Sequence, residues 1–293
     1  MEKNHFCNET ENPWEMLIPD PGKYLARLGL LPEDYDRRMH RSLPASPTDY
    51  AAPQTKASLD ALVTAHLMAI PFENLDLYEL HREVSLKIED LFEKIVIQRR
   101  GGYCFELNGL FFALLKSLGF DCYPVAERVL PMAPFPPLSH RASLVILPTG
   151  EKVVCDVGYG GPGPVTALYL QEDTIQTSGK RSYRYERTGE GTYRLWLIMP
   201  EGEKALFSLE DHPFAPVDFL PLNAYMVHNA DSRFRNNRVM NRLAPKGSVA
   251  MDNDILRLHE DGVLTERTLK TPEERKRAYV EYFGMGEEGL KAF

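Results

Sequence analysis

Arg100-Gly101-Gly102-Tyr103-Cys104-Phe105-Glu106-Leu107-Asn108-Gly109 sets a cysteine where a glycine turn hands over to a helix. Onward from it, Leu107, Leu110, Phe111, Leu114, Leu115 and Leu118 recur at i, i+3, i+4, i+7, i+8 and i+11, the period of one buried helical face. Gly119 stops that helix as the residue after its cap. Cys104 therefore sits at or just before the first helical turn, where backbone N–H groups lack intrahelical acceptors and the positive end of the helix dipole favours an anion. Such a position favours a thiolate when a cation joins it. It equally suits a small buried residue opening a core helix, and the helix by itself leaves both readings open.

Ser139-His140-Arg141-Ala142-Ser143-Leu144-Val145-Ile146-Leu147 and Lys152-Val153-Val154-Cys155-Asp156-Val157 read as two strands joined by the turn former Pro148-Thr149-Gly150-Glu151. An antiparallel hairpin brings His140 and Asp156 to the same open end. Taken singly, each has an ordinary reading: His140 as a satisfied surface or core histidine, Asp156 as a turn former ahead of Val157-Gly158.

Together, the Arg100–Gly109 run, the histidine opening a strand and Asp156-Val157-Gly158-Tyr159-Gly160-Gly161 resemble the arylamine N-acetyltransferases. The likeness extends to Tyr24-Leu25-Ala26-Arg27-Leu28-Gly29-Leu30 and to His66-Leu67-Met68-Ala69-Ile70-Pro71-Phe72-Glu73-Asn74-Leu75. It extends more loosely to Asn223-Ala224-Tyr225, Asp231-Ser232-Arg233-Phe234 and Phe283-Gly284, from about residue 22 to residue 285 in all. It implies a Cys-His-Asp triad of Cys104, His140 and Asp156: a nucleophile, its base, and the group that orients the imidazole. It further implies two half reactions through an acetyl-cysteine, with acetyl-CoA as cosubstrate and an arylamine or hydrazine as acceptor. No metal and no permanently bound cofactor are implied. The implied fold is α+β in three parts: a helical domain over 1–97, the cysteine helix with an antiparallel β-barrel over 98–205, and an α/β lid over 206–293.

By the same resemblance Phe72 and Tyr103 border the acceptor, while Gly158, Gly160 and Gly161 lie along the donor. Tyr159 stands where the family usually has phenylalanine. A larger departure is Val227-His228, at positions where the family commonly carries a Ser-Thr pair that helps hold CoA. That leaves room for a second reading, an amide synthase or acyltransferase with the same triad and a different thioester donor. A hydrolytic cysteine enzyme shares the Cys-His-Asp order but does not explain the N-terminal motifs, and a non-catalytic binding module does not explain the triad.

Other residues carry separate expectations. Arg233, Arg235, Arg238, Arg242 and Lys246 form a run without an acidic residue, which suits either the phosphates of CoA or a solvated face. Glu73 and Arg100 are expected to pair and brace the cysteine turn, although Glu73 equally suits a helix cap. Ser85 is a plausible N-cap for a helix over Ser85–Ile95. Arg41–Gln54, with Pro44, Pro47 and Pro53, reads as a long loop, and residues 1–20 as a loosely held arm. After the cysteine helix come short runs separated by turn residues, among them Cys122–Leu130, Ser182–Arg187, Thr192–Met199 and Ala205–Leu209, the pattern of a barrel or sandwich.

A chain of 293 residues holds two or three small domains, and a net charge of −8 argues against nucleic acid or an anionic membrane surface as the main partner. The polar start Met1-Glu2-Lys3-Asn4-His5 lacks a signal-peptide apolar core, so the protein is expected to be cytoplasmic. The 4 cysteines, Cys7, Cys104, Cys122 and Cys155, show neither disulfide-framework nor metal-type spacing. Cys122 and Cys155 lie in apolar runs and read as buried and inert.

Overall fold

The cysteine helix spans Cys104–Ser117, with Tyr103 as N-cap and Gly119 just past its end at φ +82°, the left-handed conformation that glycine adopts without strain. The side chain of Glu106 folds back to accept the Tyr103 N–H at 2.9 Å, satisfying one of the donors that a helix start leaves open. The sequence period predicts one buried face. In the structure every residue from Cys104 to Leu115 is buried, including Glu106, Asn108 and Gly109. The helix is a central one, clasped by the helices Pro21–Arg27 and Ile88–Phe92 on one side and by barrel strands on the other. Phe105, Phe111 and Phe112 are fully enclosed, each contributing about 1.5–3 kcal/mol of burial. The cysteine turn is thus anchored by the core.

The computed structural model describes residues 16–30, 52–132 and 136–293. Most of the expected arm, most of the loop over 41–54, and Cys7 lie outside the described residues. Ahead of the cysteine turn come the helix Lys56–Ala69, capped by Thr55, and the helix Ile88–Phe92, continued by a π-helical turn at Glu93–Ile97. Ser85 does not cap this helix. Lys87 does, because the Ser85 hydroxyl is engaged with the Lys87 N–H and with Asp90 before the helix begins.

The strands are β1 (Phe72–Glu73), β2 (Asp121–Val129), β3 (Leu138–Ile146), β4 (Lys152–Cys155), β5 (Leu168–Tyr169), β6 (Gln176–Ser178), β7 (Arg181–Gly189), β8 (Thr192–Met199) and β9 (Gly202–Glu210), followed by β10 (Val239–Ala244), β11 (Gly247–Asp252), β12 (Ile255–Glu260) and β13 (Val263–Thr268). Eight of them form one antiparallel sheet in the order β5-β4-β3-β2-β9-β8-β7-β6. It curls until its edges nearly meet, and Gln176 bridges them: its side-chain amide accepts the Tyr169 N–H and donates to the Tyr169 carbonyl, both at 2.8 Å. The edge strands are thereby occupied rather than open.

The other five strands form the sheet β1-β10-β11-β12-β13, against which the helix Pro272–Glu281 packs through Ala278 and Tyr279. Two boundaries differ from the sequence reading. Strand β9 pairs with β8 up to Glu210 and with β2 up to Leu209, so a division at 205 cuts a barrel strand. Strand β1, from the helical part, hydrogen-bonds to β10, so the first and last parts share a sheet.

Candidate active site

His140 sits on β3 and Asp156 directly after β4, in a hairpin whose register pairs Ser143 with Cys155. The chain leaves β4 beneath the cysteine helix, where Asn108, one turn on from Cys104, receives it. Asn108 donates to Asp156 Oδ1 at 2.8 Å and to the Arg141 carbonyl, and accepts the Val157 N–H at 2.9 Å. One side chain therefore ties the cysteine helix to both strands of the hairpin. Gly158 is held by close approach: a Cβ there would lie 2.8 Å from Asn108 Nδ2 and 3.0 Å from the Cys104 Cα.

The Asp156 carboxylate accepts His140 Nε2–H at 2.8 Å through Oδ2 and the Gly158 N–H at 2.8 Å through Oδ1. Burial opposes its charge, but His140 and the bonds from Asn108 and Gly158 outweigh burial and hold the carboxyl below its ordinary range. For His140, burial likewise disfavours the cation. The Asp156 carboxylate and the neighbouring Cys104 outweigh it and raise the imidazole well above its ordinary value. The ring also stacks on Phe207, centroids 5.1 Å apart and planes 16° apart, which fixes its orientation. Cys104 is 3% exposed, with Sγ 3.6 Å from the Ser139 carbonyl.

A cavity of about 520 Å³ opens over these groups, walled by Phe72, Cys104, His140, Tyr159, Arg233 and Phe234 among others. A second, of about 270 Å³, shares the Tyr159–Pro162 wall and continues between barrel and second sheet, where Arg181, Arg242 and His259 face it. Phe72, Gly160, Gly161 and Arg233 line the first of these cavities. Gly160, at φ +67°, is the conformationally demanding one: a Cβ would meet the Phe72 ring at 3.0 Å, and its carbonyl accepts from Asn241 Nδ2 at 2.7 Å.

Four expected contacts fall elsewhere. Tyr103 is wholly buried, its hydroxyl donating to Asn223 Oδ1 and its ring packed on Phe105 and Phe234, so it supports the cavity wall from behind. Gly158 packs on Cys104 and lines neither cavity. Arg235 is exposed and donates to the His228 carbonyl at 3.1 Å. Arg238 is buried and committed to Glu79 at 2.6 Å and Asp254 at 2.8 Å. A run free of acids in sequence meets acids in space, and Arg233 too pairs with Asp252 at 2.8 Å. Arg242 is different: its Nε is buried without a hydrogen-bond partner.

Sequence reasoning leaves Glu127 and the role of Asn108 unread. Asn108 follows Cys104 by four residues, the spacing of one helical face, which is a usable signal. Glu127 alternates with Val125 and Val129 along β2, so strand parity alone turns it inward. It is 2% exposed, with Oε2 3.9 Å from His140 Nε2, and burial pushes its carboxyl up to about 8. Glu127, His140 and Asp156 offer ligand atoms all within 4.8 Å, a geometry that could hold a metal ion. The short Nε2–Oδ2 contact instead uses the proton that a metal would displace.

A model of the N-acetyltransferase family matches residues 56–289. The chain belongs to the arylamine N-acetyltransferase family. It is 33% identical over 241 residues to the arylamine N-acetyltransferase of Escherichia coli (strain K12), covering 80% of this chain and 84% of that protein. The structure of the Mycobacterium marinum arylamine N-acetyltransferase in complex with CoA is similar, with TM-score 0.77 and 27% identity over 92% of this chain and 96% of that one. The Nocardia farcinica arylamine N-acetyltransferase matches with TM-score 0.77 and 30% identity over 96% of each chain.

Within this arylamine N-acetyltransferase fold, the Val227-His228 departure lies at the end of the helix Phe219–His228. Val227 is buried, while His228 is exposed with Nε2 3.5 Å from Glu83. Cys122 and Cys155 are buried, and burial pushes Cys122 up to about 12 and Cys155 well above its ordinary value. Among the described residues no helix is long and apolar enough to cross a membrane.

Proposed function

We propose that the chain transfers an acetyl group from acetyl-CoA to the amine of an arylamine or hydrazine through an acetyl-Cys104 intermediate. The observation carrying this reading is the shared cavity: Cys104 at the start of a buried helix, beside an imidazole that Asp156 holds toward its charged form. The Cys104 thiolate attacks the thioester carbonyl and forms a new carbon–sulfur bond. The bond to CoA breaks, and the departing thiolate takes the His140 proton. An amine then attacks acetyl-Cys104, neutral His140 takes its proton, and Cys104 leaves as a thiolate that restores the ion pair. The first N–H groups of the cysteine helix are the donors available to the oxyanion of each tetrahedral intermediate.

Arg242, with Arg181 and His259, suits the donor's phosphates better than the run at 233–238 does. Phe72 and Phe234 offer aromatic faces to the acceptor in the catalytic cavity. Intact-mass measurement after incubation with acetyl-CoA tests the proposal. One acetyl group should appear on the protein, be absent from Cys104→Ser, and disappear when an aromatic amine is added. Turnover by Cys104→Ser above about a hundredth of wild type sinks the covalent route. Labelling by another acyl thioester but not by acetyl-CoA replaces this reading with the amide-synthase one.

A further inference from the structure

We propose that Glu127 is a positioning residue for His140, a second carboxyl at the Nε2 end of the imidazole, and that acyl transfer runs best with Glu127 carrying its proton. The inference rests on the acetyl-transfer reading above. Glu127 and His140 are directly opposed across β2 and β3, at the point where a bulge shifts the register between Glu127 and Arg128. There Oε2 lies 3.9 Å from Nε2 and is buried without a hydrogen-bond partner.

The groups facing Glu127 from the surrounding elements are few. His140 comes from β3, Asp156 follows β4, Tyr159 lies on the glycine turn and Tyr185 on β7; β8 and β9 contribute apolar Leu195, Phe207 and Leu209. Among the described residues no lysine or arginine is paired with it. Asp156 is the better-placed carboxylate, because it receives bonds from Asn108 and Gly158 as well as from His140. One imidazolium cannot balance two carboxylates in an apolar setting, so the less solvated acid retains its proton.

The charge state matters most in the second half reaction. There Cys104 is acylated, and His140 must be neutral to take a proton from the amine. A neutral Glu127 leaves a single carboxylate acting on the imidazole. An ionised Glu127 adds a second, holds the imidazole protonated and depletes the base. Deacylation in the wild type should therefore fall behind its intrinsic rate as pH rises through about 8.

The test is a single-turnover comparison of acetyl-Cys104 deacylation by an aromatic amine between about pH 6 and about pH 10, in wild type and Glu127→Gln. The glutamine keeps the shape of the protonated acid but cannot ionise. The ratio of variant to wild-type rate should rise several-fold across about pH 7 to about pH 9. A ratio constant with pH, whatever its level, overturns the proposal, since a purely structural role shifts the level alone. If the glutamine variant does not fold, Glu127→Asp carries the test, because withdrawing the carboxyl from Nε2 should move the alkaline decline, and an unmoved profile overturns the proposal. Failure of acetyl-CoA to acylate wild-type Cys104 is a separate outcome: it sinks the acetyl-transfer reading and the Glu127 inference that rests on it together.

Discussion

Below the cysteine turn, Glu73, Asp76 and Glu106 face Lys94 and Arg100; beside it, Glu127 and Asp156 face His140. Both groups are buried, and both are assembled around the same few residues of helix start. In the first, Arg100 bonds Glu73 at 2.8 Å and Asp76 at 2.6 Å, while Lys94 bonds Glu106 at 2.6 Å. Each acid bonds a lysine or an arginine, so the network's work is geometric. In the second, two carboxyls share one titratable ring, and protonation becomes the variable. Paired buried charge fixes where Cys104 sits; under-paired buried charge decides what its neighbours can do.

The comparison breaks most visibly at Arg100. Arg100→Ala strands Glu73 without its cation and leaves Asp76 to Lys94 alone, and breaking a buried pair from one side costs about 3–5 kcal/mol. Urea denaturation should register that loss as a lowered midpoint. A loss under about 1 kcal/mol means that water reaches the network and the brace is not a buried one.

Asp156→Asn tests the other cluster. It removes the largest influence raising His140, so the imidazole loses its proton at lower pH and the window of charged histidine contracts from the alkaline side. Acetyl transfer near neutral pH should fall by about a hundredfold or more, by analogy with other triads that lose their acid. Iodoacetamide labelling of Cys104 should slow in parallel, while Cys122 and Cys155 remain unreactive because burial keeps their thiols protonated. A labelling profile that matches the wild type removes Asp156 from the site's electrostatics.

What the sequence made legible follows the same division. The helix and the hairpin are written in local periodicity and turn residues, and the Glu73–Arg100 pair in two separate motifs 27 residues apart, and the structure forms all three. The donor contacts were not legible, because charge along the chain says nothing about charge across a fold: Arg238 finds Glu79, far upstream, and Asp254. Tyr103 shows a different limit. A motif records that a residue is required, while its side chain supports the wall of the site from within the core. Glu127 was readable in principle from the parity of β2, but only once that strand is known to bury the face shared with Val125 and Val129.

Arg242 sharpens the contrast from the donor side. Its Nε has no partner, and burial lowers its ordinary value in a pocket where Arg181 and His259 also face inward. A phosphate would supply the missing acceptor through a charge-assisted bond. Arg242→Ala should raise the KM for acetyl-CoA about fivefold to fiftyfold with kcat little changed, the pattern of lost ground-state binding. An acetyl thioester of pantetheine, which lacks the phosphates, should be indifferent to the change. Equal losses with both donors assign Arg242 to structure.

The smallest effect separates the clusters by stability alone. Glu127 has a folded value of about 8, above the range of an unfolded carboxyl. The stability it contributes is therefore fully present below about pH 4.3 and is lost as pH rises through the folded value, because the unfolded chain gives up the proton first. Glutamine at this position does not titrate. Melting temperatures of wild type and Glu127→Gln should diverge in favour of the variant from about pH 4.3 to about pH 8 and then run parallel. Asp76 in the other cluster has the reverse sign over acid pH, since its carboxyl, held down to about 2 by Lys94 and Arg100 against its burial, loses its contribution to stability only as pH falls. A wild-type and variant pair whose melting curves shift together across the whole range leaves Glu127 paired after all, and the two clusters no longer differ in kind.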